Sequence, residues 1–110
     1  MKVDKNGHTI TVKDTQGDLQ AFVDKLTTEY HSFKDHNLII DITAYNDLKL
    51  KNVLSFLALS NQHRAAKKSF VIAIKDFEFN DTPEEMIIVP TVLEANDIIE
   101  MEEIERDLGF

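Results

Sequence analysis

The residues best able to hold a metal ion are four histidines, His8, His31, His36 and His63. A two-metal hydrolase centre needs a His-x-His-x-Asp-His run, because several imidazoles and carboxylates must converge at about 2 Å from each ion. No two of these histidines stand one residue apart. His31 and His36 fall on one predicted helix, where a spacing of five turns their rings roughly 140° away from each other. A helical zinc pair requires a spacing of four. Cysteine is absent, which removes disulfides, thiolate metal sites and a thiol nucleophile. The glycines are Gly7, Gly17 and Gly109, so neither GxGxxG nor GxxxxGK[ST] can be written. None of Ser32, Ser55, Ser60 and Ser69 lies in a nucleophile-elbow context. The carboxylate pairs Glu84-Glu85 and Glu102-Glu103 are adjacent, and adjacent helical side chains diverge by roughly 100°, so they read as surface acids. The expectation is a non-enzymatic chain with no catalytic, cofactor-binding or metal residues and no cofactor.

Charge narrows the choice of partner. The net charge is −8. Residues 1–75 carry 11 Lys/Arg and 8 Asp/Glu, whereas residues 76–110 carry one Arg and 12 Asp/Glu. An acidic field repels phosphate backbones, so nucleic acid is not an expected partner. The acidic third reads either as a solvated helix face or as a surface for a basic partner. No apolar run approaches the roughly 20 residues that span a bilayer, and the start Met-Lys-Val-Asp-Lys-Asn has no apolar signal core. The expected setting is the cytoplasm, away from membranes, with residues 1–110 as a single domain.

The elements that must position any site follow from periodicity. Val3, then Asn6-Gly7, then Ile10 and Val12 alternating with Thr9, Thr11 and Lys13, predict a hairpin with a type I′ turn at Asn6-Gly7. Leu19, Phe22, Val23, Leu26, Tyr30 and Phe33 make one helical stripe, predicting a helix from Asp18 to His36 with Asn37 as its C-cap. Leu38–Ile42 is a short apolar run of the kind found in a strand covered on both faces. Asp47 can cap a second helix, Leu48 to Ala66, with Leu50, Val53, Leu54, Leu57 and Asn61 inward and Phe56 and Leu59 broadening the stripe. Phe70–Ile74 is a second buried strand. Asp81-Thr82-Pro83-Glu84-Glu85 reads as a short helix start, and Met86–Val89 as a last strand ended by Pro90. Thr91 and Glu94 form a capping box for a helix reaching Leu108. Gly109 suits the left-handed position after it, with Phe110 folding back on Ile104. The order is β-β-α-β-α-β-(short α)-β-α, an α/β chain with a four- to five-stranded mixed sheet.

That order resembles a STAS domain (the SpoIIaa-like, anti-sigma-factor-antagonist fold) over nearly the whole chain. Leu38–Ile42 with the following capped helix is similar to the family's central strand and switch helix, and Phe70–Ile74 to the next strand. Val89-Pro90-Thr91-Val92-Leu93-Glu94-Ala95 resembles its last strand running into the C-terminal helix, and residues 99–110 resemble the ending of small bacterial STAS-like proteins, chiefly from Bacteroidetes. The sigma-switch members carry Asp-Ser-Ser-Gly or a close variant at the loop before the switch helix, where a hydroxyl accepts phosphate. Here Lys49-Leu50-Lys51-Asn52 stands in that place, with no hydroxyl and no glycine. Thr43 lies too early and Ser55 a turn inside the helix. The resemblance therefore implies a protein-interaction module without the phospho-switch.

By the same resemblance, a protein partner of regulatory kinase-like or anti-sigma type docks around Tyr45, Asn46, Asp47, Lys49, Lys51 and Asn52. Tyr45 reads either as an interface anchor or as a plug across the sheet edge. Two other readings stay open. One is a small-molecule or nucleotide-sensing domain, recognised by an apolar pocket ringed with polar groups. The other is a structural homodimer, in place of a monomer or weak dimer, recognised by an exposed stripe of Ile98, Met101 or Leu108 on the last helix.

Overall fold

The strands after the first form where β-branched residues cluster, and the exposed first strand, Lys2–Asn6, forms by pairing with its neighbour across the hairpin. The computed structural model describes residues 1–77 and 82–109. Strands β1 (Lys2–Asn6), β2 (Thr9–Lys13), β3 (Asn37–Asp41), β4 (Phe70–Ala73) and β5 (Ile87–Val89) form one sheet in the order β1-β2-β3-β4-β5. β1 and β2 are antiparallel, and β2 through β5 run parallel, so the sheet is mixed. Helices α1 (Leu19–Thr28), α2 (Leu50–Leu54), α3 (Leu57–Ala65) and α4 (Val92–Asp107) complete the chain.

The pleat divides the core in two. Ile10 and Val12 of β2, Leu38 and Ile40 of β3, and Phe70 and Ile72 of β4 face Phe22, Val23 and Leu26 of α1, Val53 of α2 and Leu59 of α3. The alternate residues Ile39 and Val71 face Ala95 and Ile99 of α4. Successive strand side chains point to opposite faces, so runs apolar at every position are what a strand covered on both sides requires. β2 has only one apolar face. Its Thr9, Thr11 and Lys13 look out over an open cleft of about 390 Å³ that Val92 and Asn96 reach from the side.

The chain's two arginines bind α4 to the rest of the fold. Arg64 Nη2 lies 2.7 Å from Glu102 Oε2. Arg106 donates to Ser69 Oγ at 3.1 Å and to Asn37 Oδ1 at 3.3 Å. Thr91 Oγ1 caps the helix by accepting from the Glu94 amide at 3.1 Å, which is the Thr91 half of the expected capping box. Thr91→Ala is expected to lower stability by about 1 kcal/mol, measured by urea unfolding. Gly109 takes a left-handed φ of +83° directly after the helix.

Several expectations are corrected. The hairpin turn is Gly7-His8 and not Asn6-Gly7, because Asn6 pairs with Thr9. Gly7 has φ +61° while His8 is not left-handed, a pattern of the type II′ kind, which needs positive φ only at its first central position. The first helix ends at Thr28 rather than His36, and Tyr30–Ser32 follow as a 3₁₀ turn. Thr27 and Thr28 return hydroxyl hydrogen bonds to the carbonyls of Val23 and Asp24, which weakens the helical ladder there. His31 and His36 therefore share no helix. Asn37 is no C-cap; it opens β3, buried, where its Oδ1 accepts from the Ser69 amide at 3.0 Å.

The second helix is two helices. Ser55 Oγ donates to the Asn52 carbonyl and the Phe56 amide to Val53 O, a tight turn separating α2 from α3. The break turns Phe56 wholly into the core, edge-on to Phe22 with ring centroids 6.3 Å apart. Consequently Phe56, Leu59, Ser60 and His63 are buried, while Leu54 and Asn61 are exposed. The inward face of α3 is turned by roughly a third of a turn from the predicted one. Among the described residues no short helix precedes β5; a turn from Pro83 O to the Met86 amide stands there instead. Asp81, in the predicted helix start, and Phe110, in the predicted fold-back, lie outside the described residues.

Candidate interaction site

The site of interest lies at the carboxyl ends of β3 and β4. β3 stops at Asp41, whose Oδ1 accepts from the Thr43 amide at 3.0 Å and the Thr43 hydroxyl at 2.7 Å. A short polar side chain bonding the backbone two residues on is a turn former, and here it directs the chain off the sheet. Tyr45 then packs its ring against the first core and donates its hydroxyl to Asp14 Oδ2. Tyr45 is half-buried, and these two contacts fix the base of the loop.

Asp14 is buried, and burial works to raise its pKa. The Tyr45 hydroxyl and the Gln16 and Gly17 amides outweigh that effect, and the net pKa is lowered. Tyr45 shifts the other way: burial first, then the hydrogen bond to the Asp14 carboxylate, hold its proton in place. The pair is an ionised acceptor and a neutral donor at neutral pH.

Beyond Tyr45 the chain is exposed at Asn46 and Asp47, and Asp47 adopts φ +56°. Across from it, the segment leaving β4 places Asp76 at φ +58°. Asn46, Asp47 and Leu48 meet Ile74, Lys75, Asp76 and Phe77 around a cleft of about 110 Å³. Two left-handed aspartates thus flank one small opening. Asp tolerates this conformation better than most residues, but it is held only where the surroundings specify it.

Lys49, Lys51 and Asn52 do not line that cleft. Lys49 and Lys51 are exposed, and Asn52 is half-buried, its Oδ1 accepting from the Lys49 amide at 2.8 Å as the first bond of α2. The hydroxyls of Thr43 and Ser55 are both engaged internally, Thr43 with Asp41 and Ser55 with Asn52.

Two features were not legible from residue spacing. His63 is fully buried under α3. Its Nε2 lies 2.6 Å from the His36 carbonyl, which can only accept, so Nε2 carries the proton. Nδ1 then accepts from the Tyr30 hydroxyl at 2.7 Å. The ring stands edge-on to Tyr30 and Phe70. Burial lowers its pKa, Lys68 and Arg64 push the same way, and the His36 carbonyl opposes them. The buried phase of His63, four residues after Leu59, becomes readable only once the break before α3 is placed. Secondly, His8 and His36 come together with Asp35, Glu103 and Asp107 at the amino ends of the strands, lining a polar cleft of about 320 Å³. His8 Nδ1 lies 3.2 Å from Glu103 Oε2. Among the described residues no three His, Asp or Glu side chains are grouped so as to hold a metal ion, and no helix is long and apolar enough to cross a membrane. Neither the protein-family models nor the curated proteins contain a match to this chain.

Proposed function

We propose that this chain is a STAS-like, non-enzymatic protein-interaction module of the cytoplasm. Its partner, a regulatory kinase-like or anti-sigma-type protein, docks over the loop Tyr45–Asp47 and the outer side of α2. The observation that carries the reading is the paired left-handed Asp47 and Asp76 around one opening, on a loop locked from beneath by Tyr45 and Asp14. A loop that is rigid at its base and polar at its exposed tip meets a partner with little ordering cost, which is what preorganised recognition requires. Engagement of the Thr43 and Ser55 hydroxyls within the fold supports a module that binds without a phospho-switch. The larger clefts, of about 320 and 390 Å³, are lined mainly by charged and polar side chains, which favours a protein surface over an apolar ligand pocket.

The test is affinity capture from the native cytosol with the wild-type chain and with an Asp47→Lys/Lys51→Glu variant. Both substitutions are at exposed positions, and circular dichroism checks that the variant is folded. The expected result is a reproducible partner retained by wild type and lost, by at least about tenfold in affinity, by the variant. Equal capture by both proteins removes this surface. Stoichiometric phosphate on Thr43 or Ser55 of the native protein overturns the switchless reading.

A further inference from the structure

Helix α4 buries one face and leaves the opposite one without a neighbour among the described residues. Ala95 and Ile99 sit against β3 and β4, with Val92 and Ile98 half-buried beside them. On the outer face Leu93, Met101, Ile104 and Leu108 are 73, 58, 54 and 67% exposed. At 100° per residue these four fall within an arc of roughly 80°, and at 1.5 Å per residue the stripe runs roughly 22 Å along the helix. Only two other large apolar side chains among the described residues are comparably exposed, Val3 and Leu54. Exposed apolar surface in this molecule is therefore gathered on one helix face and not scattered, which marks an interaction surface.

Charge identifies what covers it. α4 carries Glu94, Asp97, Glu100, Glu102, Glu103, Glu105 and Asp107 against one Arg106. Glu102 is taken by Arg64, Glu103 by His8, and Arg106 is turned inward to Asn37 and Ser69. Asp97 stands within the apolar stripe, Glu100 and Asp107 flank it on one side, and Glu94 and Glu105 flank it on the other. None of these five is paired with a Lys or Arg among the described residues. A second copy of α4 would set these acids against the same acids, and an anionic membrane or nucleic acid would be repelled as well.

We propose that the outer face of α4 is a docking site for an amphipathic helix of a partner protein, with an aliphatic stripe bordered by Lys or Arg. The aliphatic side chains cover Leu93, Met101, Ile104 and Leu108. One basic side chain reaches Asp97 at the middle of the contact, and others pair with the two acidic rows. This is helix-on-helix packing directed by charge. It uses the face of the sheet opposite α2 and is independent of the loop at Asp47.

The test titrates the full chain with a synthetic amphipathic helical peptide of about 18 residues, Leu on one face and Lys on its borders. Control peptides replace the bordering Lys by Gln, or the Leu stripe by Ser. Binding of the Lys-bordered peptide about tenfold tighter than either control is the expected result, weakening with added salt. Ile104→Ser/Leu108→Ser should lose about tenfold or more of that affinity, while Asp47→Lys/Lys51→Glu should keep it. Absence of binding, equal binding of all three peptides, or full affinity in the Ile104→Ser/Leu108→Ser variant overturns the proposal. So does a wild-type dimer in native mass measurements that the same variant dissociates, since a second copy is then the occupant.

Discussion

Replacing His63 by Ala is expected to cost about 3–5 kcal/mol of folding stability, read as the shift in urea midpoint at pH 7.5. The ring is wholly buried and connects three segments: the Tyr30 hydroxyl after α1, the His36 carbonyl before β3, and the ring of Phe70 on β4. Truncation opens a cavity and leaves the hydroxyl of half-buried Tyr30 and the carbonyl of half-buried His36 without this partner. Each unsatisfied group costs about 1–3 kcal/mol, and the lost side-chain volume adds to that. Tyr30→Phe should cost about 1–2 kcal/mol alone and add little on top of His63→Ala, because both remove the same bond. A loss below about 1 kcal/mol for His63→Ala would mean that the network contributes little.

His63 also sets a sign for the pH dependence. Its folded-state pKa lies below the ordinary value of 6.5, chiefly through burial, so between the two values the unfolded chain binds a proton that the folded chain refuses. The contribution of neutral His63 is complete above about pH 6.5 and is lost as pH falls toward the folded value. His63→Phe has no titrating group and should flatten this limb while leaving the more acidic limb, from Asp14, in place. The Asp14 contribution is present above the ordinary value of 3.8 and is lost as pH falls through its lowered folded value. Identical pH profiles for wild type and His63→Phe between pH 5 and 7 would exclude His63 as the source.

Phe56→Ala should produce a loss of similar size, about 3–5 kcal/mol, for a different reason. Phe56 is fully buried at the join between α2 and α3, packed edge-on against Phe22 of α1. Without it the turn keeps only the Ser55 hydroxyl bond and the backbone bond from residue 56 to Val53, and residues 50–65 can relax toward one continuous helix. Ser55→Ala distinguishes the two influences at the break. It deletes only the hydroxyl bond to the Asn52 carbonyl and should change stability by less than about 1 kcal/mol. If Phe56→Ala is as mild as Ser55→Ala, core packing does not hold the break open, and the backbone turn alone is responsible. Both variants can be followed by urea unfolding, with far-ultraviolet circular dichroism reporting any gain in helix.

What residue order determined by itself was local. The runs at 38–42 and 70–74 read as strands covered on both faces, because apolar residues stand on both sides of each and Asp41, at the end of the first strand, is the one polar residue among them. Ile10 and Val12 alternating with Thr9, Thr11 and Lys13 had to make a strand covered on one. The Thr91 cap and the Gly109 ending depend on hydrogen bonds and sterics within a few residues, and both stand where the local pattern puts them. Tertiary structure decided what depends on groups distant in sequence. The hairpin closes at Gly7-His8 because strand pairing sets the register, and the second helix breaks because burying Phe56 outweighs an unbroken backbone ladder. Asn37 serves the entry to β4 and Arg106 instead of a helix end. Asp47 and Asp76 share one opening because β3 and β4 are neighbours, a convergence across 29 positions that no period in the chain encodes. Periodicity specifies which face of an element is apolar. Only packing against the rest of the molecule decides which face is left over, and on α4 that face is both apolar and acidic.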